Sequence, residues 1–112
     1  NQIKPYEMPK PKVFLAQLGD LAKKKSLRIF ADLEKNGVLL AESFGRGSLK
    51  SQMRVANRIG AEVTVIIGQK EALDETAIVK DMISGTQETV TQERLVDAVK
   101  KILKANQTLV QS

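Results

Sequence analysis

The 112-residue sequence contains no cysteine and no histidine. Without cysteine there is no disulfide, no thiolate nucleophile and no cysteine-ligated metal. Without histidine, Ser-His and Cys-His catalytic arrangements are excluded, and so are most zinc sites. The carboxylates of Glu42, Asp74 and Glu75 lie on apparent loops or strand ends and show no catalytic spacing, so solubility explains them better. We therefore predict no catalytic centre and no metal site in this chain.

Long apolar runs and aromatic clusters are also missing. No segment approaches the roughly 20 apolar residues that span a bilayer, and none resembles a signal-peptide core. We therefore expect a soluble, cytoplasmic protein with no membrane partner. Aromatic residues make up 4% of the chain. Phe14, Phe30 and Phe44 fall in apparent core positions, so an exposed platform for stacking nucleic-acid bases is poorly supported.

The composition describes one basic domain. Hydrophobic residues make up 42% and charged residues 28%, which suits a single globular core. The net charge of +5 suggests a polyanionic partner, although a basic surface without nucleic acid explains it equally well. Residues 1–11 contain all three prolines and begin with Asn rather than Met, so we predict a linker from a preceding domain. Residues 12–104 form the predicted domain, and residues 105–112 a flexible tail.

Hydrophobic patterning predicts an α/β fold. Apolar and β-branched runs predict strands over residues 12–18, 38–44, 63–67 and 77–82, and the turn signal Ser84-Gly85 predicts a returning strand over residues 86–90. Apolar residues at helical spacing predict helices over residues 20–36 and 48–60, and a third that begins at a Thr91 cap. Strands joined through helices run parallel, whereas the last two strands form a hairpin. The sequence therefore predicts a mixed five-stranded sheet flanked by three helices.

The segment GRGSLKSQMRVANRIGAEVTVIIG, residues 45–68, predicts a glycine loop, a basic helix and a buried strand. Gly45 and Gly47 allow backbone angles that other residues reach only at a cost, and Ser48 is the predicted N-cap. The loop resembles a phosphate cradle. However, GxxxxGK[ST] is absent, and Lys50 stands at the third glycine of GxGxxG. A nucleotide-using enzyme is therefore disfavoured.

Cations surround this loop and helix. Arg46, Lys50, Arg54 and Arg58 would line a surface beside the carboxyl ends of the parallel strands, where open α/β sheets hold ligands. A solvated helix face explains the same row of charges equally well. For the lysine run at residues 23–25, a solvated face is favoured over a phosphate contact.

The order of these motifs carries a family resemblance. VFLAQLG is followed by a helix ending in NG, the block GRGSLKSQMRVANRIGAEVTVIIGQKE, the hairpin TAIVKDMISGTQETV and a closing helix. Over residues 12–103 the chain resembles the C-terminal anticodon-binding domain of class II aminoacyl-tRNA synthetases, in particular histidyl-tRNA synthetase (histidine–tRNA ligase). The resemblance implies an anticodon stem-loop of tRNA as partner. It also implies a homodimeric full-length enzyme whose separate catalytic domain uses ATP and magnesium, with no cofactor in this domain.

The resemblance further implies site residues. Glu71 in GQKEA and Lys80 in AIVKD match positions that contact anticodon bases in related enzymes, where arginine often replaces the lysine. We expect Arg46, Ser48, Lys50 and Arg54 to contact phosphates or the RNA loop. The alternative is an accessory or regulatory domain that makes protein contacts without decoding tRNA, because fold alone does not decide function.

Overall fold

A computed structural model describes residues 10–43 and 47–111, with side chains described as far as residue 107. The elements are β1 (Val13–Gln17), α1 (Asp20–Lys35), β2 (Leu40–Glu42), α2 (Leu49–Arg58), β3 (Val63–Ile67), α3 (Gln69–Asp74), β4 (Thr76–Asp81), β5 (Gln87–Thr91), a 3₁₀ turn (Gln92–Arg94) and α4 (Leu95–Gln111). Within the described part of the chain, no helix is long and apolar enough to cross a membrane. Residues 1–9, most of the predicted linker, lie outside the described residues.

The strands form one five-stranded sheet in the order β2-β1-β3-β4-β5. β1 runs parallel to both β2 and β3, while β4 pairs antiparallel with β3 and β5. The predicted mixed sheet is therefore confirmed. α1 and α2 connect the parallel strands, as crossovers between parallel strands require.

The sheet separates two apolar layers because alternate residues of a strand face opposite sides. On one face, Val13 and Leu15 of β1 pack with residues of α1 and α4. On the other face, which we call the α2 face, Phe14 and Ala16 pack with Ala56 of α2. Since β1 and β3 are covered on both faces, every residue of these two strands is buried.

Two helical segments differ from the prediction. α3 is an additional short helix, where the sequence suggested only a polar segment with a helical turn. Its first turn is stabilised by the Glu71 carboxylate, whose Oε1 accepts from the Gly68 N–H at 2.9 Å. α4 continues to Gln111, so the segment predicted as a tail is helical from Ala105 to Gln111. Asn106, within this segment, is buried and continues the inward-facing stripe of α4 at helical spacing.

Candidate nucleic-acid interface

The carboxyl ends of β1, β2 and β3 lie together at one end of the sheet, which we call the carboxyl edge. The three strands are parallel, and α1, α2 and α3 are the next helices in the chain after β1, β2 and β3, respectively. Lys50 and Lys70 are the second residues of α2 and α3, and Lys23 is the fourth residue of α1. All three lysines are exposed. The carboxyl edge therefore carries cations beside helix N-termini, a combination that suits anionic ligands.

Gln52 links α2 to the end of β1. β2 ends at Glu42, which is paired with Leu15, so the backbone of Gln17 has no strand partner on that side. The Gln52 carboxamide replaces the missing strand: Gln17 N donates to Gln52 Oε1 at 2.9 Å, and Gln52 Nε2 donates to Gln17 O at 2.8 Å. Gln52 Nε2 also donates to the Gly47 carbonyl at 3.2 Å. This fully buried side chain thus joins the α2 loop to β1.

The loop enters α2 through a defined backbone geometry. Gly47 has φ +85°, and a Cβ at this position would collide with the Ser51 hydroxyl. The Ser48 hydroxyl accepts from Ser51 N at 3.2 Å, which confirms Ser48 as the N-cap of α2. Arg46, a predicted phosphate contact, lies outside the described residues.

A hydrogen-bonded relay reaches the carboxyl edge from the α1 side. The Ser26 hydroxyl lies 2.7 Å from Gln17 Oε1, and Gln17 Nε2 donates to Glu42 Oε2 at 2.8 Å. Ser26 and Gln17 are buried, whereas Glu42 is partly exposed. Burial raises the pKa of the Glu42 carboxyl, and the hydrogen bond from Gln17 partly opposes that rise. The relay holds an anionic group at the end of β2.

The basic row of α2 lies on the outer side of the helix. Lys50, Arg54 and Arg58 are exposed, whereas Gln52 and Ala56 are buried against the sheet. At 1.5 Å per residue, Arg54 lies about 6 Å and Arg58 about 12 Å along the helix from Lys50. Lys50 therefore belongs to the carboxyl edge, while the two arginines extend the positive charge along the outer surface of α2.

Glu71 and Lys80 occupy different levels of the sheet. Glu71 lies in the first turn of α3 at the carboxyl edge and is half-buried. Lys80 is also half-buried, and it pairs across strands with Thr64, three residues before the end of β3. Lys80 therefore lies about 10 Å from the carboxyl edge along the strand. Its side chain shares the α2 face with that of Ile78, two residues away. The joint contact of Glu71 and Lys80 with RNA bases stays a prediction.

The structure places two further lysines at the carboxyl edge: Lys70, and Lys23 of the run for which a solvated face was favoured. Lys23 and Lys70 lie at the carboxyl edge because each follows closely after a buried strand, a signal that the sequence contains. Lys25, in the same run as Lys23, instead approaches Glu75 at 3.5 Å. Glu42 gains its place from Gln17, 25 residues away in the sequence, and no local pattern indicates that contact.

Residues 12–102 match the protein family described as the anticodon binding domain. The chain belongs to this family of anticodon-binding domains. The similar proteins include the histidine–tRNA ligase of Dehalococcoides mccartyi, 34% identical over 99 residues, which cover 88% of this chain and 24% of that protein. The histidine–tRNA ligase of Nitratidesulfovibrio vulgaris is 39% identical over 87 residues, covering 78% of this chain and 21% of the relative.

A solved structure supports the same relationship. The crystal structure of histidyl-tRNA synthetase from Nostoc sp. PCC 7120 superposes with a TM-score of 0.78 and 26% identity, covering 85% of this chain and 23% of that chain. The fold is therefore that of a domain of histidyl-tRNA synthetase. The chain spans about a quarter of the length of the relatives it matches.

Proposed function

We propose that this chain binds the anticodon stem-loop of the histidine tRNA. In a longer enzyme it would position that tRNA for ATP-dependent aminoacylation by a separate catalytic domain. The observation that carries the proposal is the set of charged residues at the carboxyl edge, in a domain of the anticodon-binding family. Exposed Lys23, Lys50 and Lys70 lie at the same edge as the partly buried Glu42 and Glu71. Cations at the rim suit phosphates, and carboxylates suit donors on unpaired bases.

The division of labour follows from the chemistry of each group. Lysine contacts with phosphates would supply affinity that falls as salt rises, because binding releases counterions from the RNA. Arg54, Ser48 and the loop residue Arg46 would extend these contacts along the start and outer side of α2. Glu71 and Lys80 would contact base edges, which carry sequence information that phosphates lack. The buried Gln52 would hold the α2 loop at a constant distance from the sheet.

The remaining properties of the longer enzyme are also part of the proposal. In the described ranges, no group of three or more Asp or Glu side chains could hold a metal ion. ATP and magnesium would act in the separate catalytic domain, as the family resemblance implies. The longer enzyme would act in the cytoplasm as a homodimer.

A protein-contact module is the second candidate. Leu27 of α1 and Leu73 of α3 are each 68% exposed, and their two helices contact each other. Exposed apolar side chains suit a protein partner where they form one contiguous patch. Such a module would bind its partner without preference for an anticodon.

The test is a titration of fluorescent anticodon stem-loops that share one stem and differ only in the anticodon. We expect tighter binding to the histidine loop, and affinity that falls steeply with salt. Lys50→Ala should weaken binding several-fold and reduce the salt slope by about one charge. Lys35→Ala is the matched control, because Lys35 is an equally exposed lysine at the far end of α1. Binding that ignores the anticodon, or equal losses in both variants, would contradict the proposal.

A further inference from the structure

We infer that the Glu42 carboxylate determines base specificity by accepting a hydrogen bond from the ring N–H of an unpaired guanine or uracil. The inference rests on the proposed function and assigns one side chain of the carboxyl edge to one chemical group of the RNA. It adds Glu42 to the base contacts expected at Glu71 and Lys80.

Position is the first argument. Glu42 is the last residue of β2, at the carboxyl edge, and its side chain is partly exposed. Oε2 accepts from Gln17 Nε2 at 2.8 Å, whereas Oε1 has no hydrogen-bond partner among the described residues. The ion pairs in the described ranges join Lys12 with Glu62 and Lys25 with Glu75, so neither neutralises Glu42. Within the described residues, one oxygen of the Glu42 carboxylate therefore remains available to a ligand.

Preorganisation is the second argument. Gln17, which holds Glu42, is itself held through both its side chain and its backbone. Its Oε1 lies 2.7 Å from the Ser26 hydroxyl, and its backbone N–H and C=O are bound by Gln52. An ionised carboxylate has no hydrogen to donate, so Gln17 must present Nε2 to Glu42 and Oε1 to Ser26. A carboxylate on such a support loses little freedom when it binds a base.

The third argument is the chemistry of the ligand. A carboxylate repels phosphates, so among exposed lysines it suits a base donor better than the RNA backbone. Guanine N1–H and uracil N3–H are donors, whereas cytosine and adenine carry acceptors at the corresponding ring nitrogens. The histidine anticodon, GUG, consists only of the two bases that carry this donor. Glu71, the other carboxylate at this edge, already accepts from the Gly68 N–H through Oε1.

The experiment measures stem-loop affinities for the full chain and three variants. Each anticodon base is replaced in turn, G by A and U by C, because both exchanges turn the ring donor into an acceptor. Glu42→Gln is compared with Glu62→Gln, which makes the same charge change just before β3, at the opposite end of the sheet. Glu71→Gln tests the other carboxylate of the edge. Melting temperatures establish that every variant is folded.

We expect the wild-type chain to lose about tenfold in affinity at one anticodon position, within the range for a good base contact. Glu42→Gln should bind the GUG loop about tenfold more weakly, and it should no longer discriminate at that position. This loss would occur although the variant is more positively charged. Glu62→Gln should bind the GUG loop as tightly as the wild type or slightly more tightly, with unchanged discrimination.

Two results would overturn the inference while leaving the proposed function intact. In one, Glu42→Gln keeps both the affinity and the discrimination of the wild type. In the other, Glu71→Gln alone removes the discrimination. A wild-type chain that shows no preference for the GUG loop would instead refute the proposed function, and the inference with it, before any variant is compared.

Discussion

Replacing Gln52 by methionine tests how α2 is joined to the sheet. Methionine is unbranched, nearly as long as glutamine and a good helix former, so it fills the same space without a polar end. The substitution removes the acceptor for Gln17 N and the donors for the carbonyls of Gln17 and Gly47. Each of these hydrogen bonds is between 2.8 and 3.2 Å long.

The expected cost follows from the burial of the partners. Gln17 is buried, so water cannot readily satisfy its backbone N–H and C=O once Gln52 is gone. A buried polar group without a partner costs about 1–3 kcal/mol, and here there are two such groups. Gly47 is exposed, so its carbonyl can bind water instead. Allowing for the apolar burial gained by methionine, we expect a loss of roughly 2–4 kcal/mol in the free energy of unfolding.

Urea denaturation of both proteins measures this loss directly, provided that the m-value is unchanged. Gln69→Met is the matched control, because Gln69 is exposed on α3, and its free energy of unfolding should change by no more than about 0.5 kcal/mol. If Gln52→Met is destabilised by less than about 1 kcal/mol, the carboxamide does not replace the missing strand partner, and the reasoning is refuted.

Three further predictions concern the same edge. Burial raises the folded-state pKa of Glu42, which means that the folded protein favours the neutral carboxyl. The stability that this neutral carboxyl contributes is present at low pH and is lost as pH rises through that pKa. Glu42→Gln should therefore be more stable than the wild type at pH 7, and this difference in unfolding free energy should vanish below the ordinary pKa of glutamate. Urea denaturation across this pH range measures the difference. A difference that does not change with pH would show that the carboxyl is not perturbed. Ser48→Ala should cost about 1 kcal/mol in unfolding free energy through loss of the N-cap, and an unaltered urea midpoint would rule the cap out. Gly47→Ala should lower the thermal midpoint more than Gly85→Ala: both glycines have positive φ, but only at Gly47 does a Cβ also meet Ser51. Equal shifts would mean that the Ser51 contact is easily relieved.

The sheet could be predicted because most of its strands have a recognisable residue pattern within their own few positions. Val63–Ile67 is a run of β-branched residues between turn residues, and such a run forms a strand buried on both faces. α3 could not be predicted with the same means. It has six residues, which are too few to show the repeated apolar spacing by which a helix is recognised in a sequence. It also depends on the capping contact of Glu71. In α4, Asn106 is a polar residue in a segment predicted as a tail, and only the packed structure shows that it is buried.

The candidate site, like the fold, has parts that the sequence could predict and parts that it could not. The N-cap at Ser48 and the cations of α2 follow from spacing within a few residues. Gln52 lies four residues before the buried Ala56, so helical spacing places it on the same face of α2, but this spacing does not identify its hydrogen-bond partner. That partner, Gln17, lies 35 residues away, and only the crossover of the chain brings the two together. For Lys80, the alternation of side chains within β4 predicts which face of the sheet the residue lies on. It does not predict how far Lys80 lies from the carboxyl edge, which depends on how the strands pair.

The most direct test of the central claim is a titration of the isotopically labelled chain with the GUG stem-loop, followed by NMR. The account predicts that amide signals change around Lys23, Glu42, Lys50 and Lys70 at the carboxyl edge. Signals near Lys35, at the opposite end of the sheet, should stay in place. Changes confined to the exposed leucines of α1 and α3, or spread evenly over the surface, would contradict the claim that this edge binds the anticodon loop.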